Sequence, residues 1–353
     1  MKMKMNYLAF DPGFGNGKVA LVAPNGALKT VVVSNVVGMG NTDIGRLSLG
    51  DVGRQRRRRL PDRVVFDGVG YLVGDGVERY AAPMRGMDFL RLRGGPEVKV
   101  LFYDCIYHAL GPGEHEAAMI VGLPVEVMID EKQADATLRA LNEWLAADHV
   151  FRVNDEDVRL TITDVKTIAQ PIGAFFAWGM DNAGAWTRGS DALSASIGVL
   201  DIGFNTLDLF AVEGAEIAAR YTDGDTLGMR RAAEYIIQAV DDAYDKSISI
   251  YKANELIRAA APTLHTPRGQ VDLRALVDQA LNRAASGILT FVQQPDKWGD
   301  GRQFDYLLFT GGGAEALREP LQDQFPHGHV LPQAVAANAI GMARYARRFF
   351  GRK

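Results

Sequence analysis

The sequence predicts two similar α/β domains facing each other across one ligand, and three observations lead there. The first is Ile197–Phe210, Ile-Gly-Val-Leu-Asp-Ile-Gly-Phe-Asn-Thr-Leu-Asp-Leu-Phe, where an apolar run ends on a carboxylate, Asp201, with Gly203 two positions later. A continuous apolar run bounded by glycine reads as a covered strand, and the stretch as strand, tight turn, strand. The second is the same device near the start of the chain: Tyr7–Val22 places Asp11-Pro12-Gly13-Phe14 where the later stretch has Asp201-Ile202-Gly203-Phe204. The third is length, since 353 residues allow two domains with a full core each.

Either loop alone could be an ordinary hairpin whose Asp fixes the turn. The pair suits a magnesium-bound polyphosphate: carboxylate oxygens for a hard cation, and runs of backbone N–H for phosphate. Gly203 lets the backbone approach a ligand with no Cβ in the way. A net charge of −4 gives no global reason to expect nucleic-acid binding. One cysteine, Cys105, excludes an intrachain disulfide and sits in the apolar segment Val100–Leu110, where a buried inert thiol is expected. No run approaches the length of a membrane span, so a cytoplasmic location and no membrane partner are expected.

In chain order, Val31–Val37 continues the opening sheet after the turn Pro24-Asn25-Gly26. Gly38–Arg59 is polar and glycine-punctuated, reads as an exposed loop, and ends in Arg54-Gln55-Arg56-Arg57-Arg58-Arg59. The rest of the chain lacks the basic and aromatic pattern of a nucleic-acid binder, so this run is expected to meet solvent or a neighbouring subunit. Val64–Val73 forms a hairpin around Asp67-Gly68. Helices are expected at Val98–Leu110, Lys132–Ala147, from the Gln170-Pro171 pair, Gly228–Tyr244, Ala253–Ala260, Asp272–Val292, from Ala314, and Pro332–Arg348. Ala117–Leu123, Val158–Val165, Tyr306–Phe309 and Val330-Leu331 read as strands, and the basic, aromatic tail from Arg347 as a frayed terminus.

An Asp-Pro-Gly loop with Lys18, a Gln-Pro helix, a second Asp-x-Gly loop and Thr310-Gly311-Gly312-Gly313-Ala314 occur in that order. The set resembles the actin-like ATPase superfamily from residue 7 to about 345. It is most like the ParM/StbA-type plasmid-segregation actins and related prokaryotic actin-like proteins. The form Asp-Pro-Gly-Phe-Gly-Asn-Gly-Lys, Leu60-Pro61 ahead of strands and Gly122-Leu123-Pro124 carry that narrower likeness. ParM-type proteins often have Glu where this chain has Gln170, which is closer to eukaryotic actin.

The resemblance implies duplicated RNase H-like domains with mixed five-stranded sheets around a nucleotide cleft. The first would span residues 1–180 plus 335–353, with an exposed insertion at about 38–100; the second would span 181–334. It also implies that Asp11 and Asp201 hold Mg²⁺ through water and that Lys18 meets the β- and γ-phosphates of ATP or GTP. Amides of Phe14, Gly15, Asn16 and Gly17, after Gly13, and of Gly203, Phe204, Asn205 and Thr206 would cradle phosphate. Gly311, Gly312 and Gly313 would lie against the nucleoside, and Gln170 would orient the attacking water. The implied function is a filament-forming ATPase that assembles head to tail and moves plasmid DNA through a DNA-binding adaptor, with no direct nucleic-acid contact. In that setting Arg56–Arg59 are expected at subunit contacts. The alternatives are a sugar- or acetate-type kinase of the same superfamily and a cytoskeletal actin not linked to DNA. A heat-shock chaperone would need a peptide-binding domain after the ATPase, and a non-hydrolysing scaffold would not need both Asp residues and Gln170.

Overall fold

The computed structural model describes residues 5–43, 60–84, 89–267 and 269–351. Arg54–Arg59 and most of the expected loop at 38–59 lie outside the described residues.

The chain opens with three antiparallel strands, β1 (Asn6–Pro12), β2 (Asn16–Val22) and β3 (Leu28–Ser34). The third starts and ends three residues earlier than its apolar run suggests, because the turn at 23–27 closes tightly, with Ala23 donating to the Ala27 carbonyl at 2.9 Å. After β4 (Val37–Met39), β5 (Asp62–Phe66) and β6 (Val69–Val73) pair across Asp67-Gly68, both at positive φ. Helix α1 (Pro96–Leu110), strand β7 (Gly113–Leu123), and helices α2 (Val125–Ile129) and α3 (Glu131–Leu145) follow. Next come β8 (Asp148–Val153) and β9 (Glu156–Ala169), joined by Asn154-Asp155 at positive φ.

The first sheet is larger than five strands. Its order is β3-β2-β1-β7-β9-β8-β5-β6-β4, with β1, β7 and β9 mutually parallel and the other neighbouring pairs antiparallel. The first five strands form the mixed core. The other four are added on the far edge of β9, where β8 pairs with Glu156–Thr161, opposite the edge that β7 occupies. Their apolar faces close over α1, where Phe102, Ile106 and Cys105 are fully buried. Burial first, and Asp104 second, push the Cys105 thiol well above its ordinary value, so it is inert packing.

Helix α4 (Gln170–Gly179) leads to the short helix α5 (Asp191–Ser194) and to β10 (Ser196–Ile202). The strands β11 (Leu207–Glu213), β12 (Glu216–Ile217) and β13 (Asp223–Asp225) follow. Helices α6 (Arg230–Tyr244) and α7 (Ile250–Arg258), the hairpin β14 (Thr263–Thr266) and β15 (Gly269–Asp272), and helix α8 (Arg274–Val292) come next. The chain ends with β16 (Tyr306–Thr310), α9 (Gly311–Ala316), α10 (Arg318–Gln324), β17 (Gly328–Val330) and α11 (Ala337–Phe350). The second sheet runs β12-β11-β10-β16-β17, with β13 also on β11, and repeats the order of the first sheet's core. The last helix starts later than Pro332, after a turn of 3-10 helix at Ala334–Ala336, and reaches Phe350. The tail at 347–350 is therefore not frayed: Phe350 is buried, Arg347 donates to the Ala23 carbonyl and Arg348 to that of Gly184.

Two helices join the halves. An alanine-rich face of α11 (Ala339, Ala343, Ala346) seats on Ala9, Ala20 and Ala118 of the first sheet. Helix α4 places Ala174 and Phe175 on Val199, Phe210 and Leu308 of the second. The two helices cross backbone to backbone: a Cβ on Gly341 would stand 1.8 Å from the Gly173 carbonyl oxygen and 2.3 Å from the Ala177 nitrogen. Neither neighbour is a side chain that can rotate away, so Gly341→Ala should cost about 2 kcal/mol or more. Urea denaturation measures it; a loss near zero would mean that the helices separate without resistance.

Candidate functional site

A cavity of about 440 Å³ lies between the two sheets, where the β1–β2 turn, the β10–β11 turn and the starts of α4 and α9 converge. Asp11, Gly13, Phe14, Gly15, Asn16, Lys18, Gln170, Asp201, Gly203, Phe204, Thr206, Gly311, Gly312 and Gly313 border it. Gly17 and Asn205 do not. Gly17 is a ladder residue whose Cα faces Leu101, and Asn205 is buried behind the second turn.

Asp11 ends the central strand of its sheet and is 1% exposed. Its cross-strand partner is Lys18, whose Nζ lies 3.2 Å from Asp11 Oδ2. A Cβ at position 13 would sit 2.6 Å from that Nζ, so glycine is required for the lysine to lie across the turn. Gln170, the first residue of α4, donates from Nε2 to Asp11 Oδ1 at 2.6 Å. Asn35, which the sequence did not single out, donates from Nδ2 to the Gly13 and Phe14 carbonyls at 3.1 Å and holds the turn's shape. Arg91 does the same from the other side, donating to the Pro12 carbonyl at 2.9 Å with its guanidinium 4.3 Å from the centre of the Phe14 ring.

Asp201 repeats the position of Asp11 in the second sheet, but its surroundings differ. The register that sets Lys18 opposite Asp11 sets Asp208 opposite Asp201. Asp208 is fully buried; one oxygen accepts from the Val125 N–H at 2.9 Å, and the other has no hydrogen-bond partner among the described residues. Burial first, then Asp201, push its carboxyl well above the ordinary range. Asp201 itself is raised to about 6, by burial and then by Asp11. Two effects oppose this: Asn338 on α11 donates from Nδ2 to Asp201 Oδ2 at 2.6 Å, and, to a lesser degree, the charge of Lys18 favours the carboxylate. Asp208 and Asn338 were legible as oddities, a carboxylate in an apolar strand and an amide inside an alanine-rich helix.

Helix α9 begins at Gly311, three residues earlier than its alanine suggests. Gly311 has φ +88°, and a Cβ there would meet the Ile202 carbonyl at 2.4 Å and Asp201 Oδ1 at 2.5 Å. Gly313 is likewise pressed on Ile202, so of the three glycines only Gly312 has open space at its Cα. The donor set of the cavity is entirely oxygen on its acidic side. Asn16 Oδ1 and Asn338 Oδ1 are both buried with no hydrogen-bond partner among the described residues, and both belong to residues on the cavity wall. Two neighbouring carboxylates and unpartnered carboxamide oxygens suit a hydrated divalent cation.

Sequence models of two families match the chain. Residues 9–173 match the actin-like proteins' N-terminal domain, and residues 199–323 match the archaeal actin homologue MreB-like C-terminal domain. The chain belongs to the actin-like proteins. No curated protein matches it in sequence. Among solved structures, a 15-stranded ParM filament from Clostridium botulinum is similar at 20% identity and TM-score 0.72, covering 98% of this chain and 100% of that one. Bacillus thuringiensis ParM with AMPPNP is similar at 15% identity and TM-score 0.65, with 98% of each chain covered. The archaeal actin homologue Ta0583, in complex with ADP, is similar at 13% identity and TM-score 0.71, covering 97% and 99%. At these identities the likeness is one of fold: two mixed sheets flanked by helices, with the cleft between them.

In this actin-like chain the mouth of the cleft carries a bridge. Ser249 Oγ accepts from the Lys252 N–H at the start of α7 and donates to Glu78 Oε2 of the first half at 2.9 Å. Tyr251 packs against Val36, Leu72 and Val77 beside it. Among the described residues no helix is long and apolar enough to cross a membrane.

Proposed function

We propose that the chain is a nucleotide-dependent, filament-forming ATPase that binds ATP or GTP with Mg²⁺ in the cleft. Asp11 and Asp201, brought from two repeated turns to one cavity beside Lys18, carry this reading. Asp11 and Asp201 would hold the cation through water, which would neutralise charge building up on the phosphates. Lys18 would serve the β- and γ-phosphates, and the turns at 13–16 and 203–206 would offer backbone N–H groups. Gln170 cannot abstract a proton strongly, so its role would be to orient water. Domain closure on the terminal phosphate would set the angle between the halves, and a head-to-tail contact that does not close propagates as a filament. The solved relatives include a ParM filament and complexes with AMPPNP and ADP, which supports the proposal by analogy of fold. We assign it to the cytoplasm, moving plasmid DNA through a separate adaptor.

Purified protein should pellet on ultracentrifugation with ATP and Mg²⁺, and its hydrolysis rate per molecule should rise with protein concentration. A second reading is a kinase of the same superfamily. A neighbouring cavity of about 340 Å³ shares Phe14, Gly15, Phe204, Asn254 and Arg258 with the first and could seat an acceptor. That reading wins if nothing pellets and turnover appears only when a small hydroxylated or carboxylated acceptor is added.

A further inference from the structure

Gln170 and Asn338 hold matching places in the two halves. Each is a carboxamide on one of the two crossing helices, and each donates at 2.6 Å to the carboxylate that ends a central strand: Gln170 to Asp11, Asn338 to Asp201. The two carboxylates differ in what else they have. Asp11 faces Lys18, whereas Asp201 faces the buried Asp208. Among the described residues Asn338 is the one side chain that donates a hydrogen bond to Asp201, and that bond, more than the charge of Lys18, offsets the burial and the charge of Asp11. It is 5% exposed, on the cavity wall, and its Oδ1 is buried with no hydrogen-bond partner among the described residues. A carboxylate only accepts, so the amide must turn its nitrogen to Asp201, which leaves the oxygen as an acceptor with an unmet need.

We propose that Asn338 is a positioning residue for the divalent cation: Nδ2 orients the Asp201 carboxylate, and Oδ1 accepts a hydrogen bond from the cation's hydration shell. The inference rests on the nucleotide-and-cation function proposed above. Asn338 also reaches Gly173 of α4, since a Cβ on that glycine would lie 2.3 Å from the Asn338 carbonyl oxygen. Cation binding is thereby tied to the seating of α11 at the helix crossing.

The test is calorimetric titration of Mn²⁺ into the full-length protein with ADP, beside ADP titration in metal-free buffer. Asn338→Ala should weaken Mn²⁺ binding about tenfold, as loss of an outer-shell partner does, with ADP affinity in metal-free buffer changed by less than about twofold. Equal losses in both titrations, or none in either, would overturn the proposal. Asn338→Asp is the second variant, nearly the same in shape. It sets another carboxylate against Asp201, so its melting temperature without metal should fall, and added Mn²⁺ should raise it by more than in the wild type. An equal increment in both proteins would make Asn338 a packing residue only. Wild-type protein that binds neither ADP nor Mn²⁺ would overturn the nucleotide reading together with this one, whereas wild-type binding left intact in both variants overturns this one alone.

Discussion

Gln170→Ala is expected to slow nucleotide hydrolysis about 100-fold while leaving nucleotide affinity within about twofold of the wild type. The side chain is buried at the first turn of α4 and touches the reactive region through one contact, its 2.6 Å hydrogen bond to Asp11. A carboxamide has no proton-transfer power near neutral pH, so all it can contribute is orientation of groups already bound. On the proposed function, ground-state contacts to the phosphates would come from Lys18 and the turns, which the substitution leaves in place. Single-turnover hydrolysis and ADP binding, measured on the same preparation, separate the two quantities. If affinity drops as far as turnover, Gln170 is holding the helix start together and the water-orienting role is wrong.

Asp201→Asn should have two opposite effects. Cation-dependent turnover should fall by two to three orders of magnitude, roughly what several kcal/mol of lost charge stabilisation implies. The free protein should nevertheless become more stable at pH 7. Asp201 has its value raised from the ordinary 3.8 to about 6 in the fold. A group raised in this way gives its full stabilisation below the unfolded value and loses it as pH climbs through the folded one. For a shift of this size the loss is roughly 3 kcal/mol by neutral pH. Asparagine, which does not ionise, escapes that loss. Thermal melts of both proteins without nucleotide should therefore differ most at pH 7 and converge near pH 4. Curves offset by the same amount at every pH would show that the gain has nothing to do with ionisation.

The duplicated turns were readable because each combines two strong local signals, an apolar run and a glycine that must lie close to a neighbour. Asp11 and Asp201 are both found where strand polarity suddenly breaks. What could not be read was their inequality. Lys18 and Asp208 each stand seven residues after their Asp, but only the strand register makes them equivalent, and register is a property of paired backbones. Asn338 lies 137 residues from its partner and depends on how α11 returns to the first sheet. Strand β8 is hard to read although His149, Phe151 and Val153 alternate inward, because a polar His149 sits on the buried face and an apolar Val150, 62% exposed, on the solvent face, which blurs the alternation. The start of α9 was misplaced because glycine is a poor helix former, a preference that packing against Ile202 overrides here.

At the crossing of α4 and α11 the backbones meet with nothing between them. Such a joint has a mechanical character that a joint packed with leucines lacks. Swinging one helix about the other at that point displaces little bulk, and what must slide with it are the Phe176–Tyr345 stack and the hydrogen bond from Arg344 to the Ala177 carbonyl, so separation is resisted more than rotation. The molecule is then a pair of stiff arms on a pin. On the proposed function, a displacement of a fraction of an ångström where the cleft would hold a nucleotide would become a much larger sweep at the outer ends of the arms. Ser249 and Glu78, far along those arms, would part first as the angle widens.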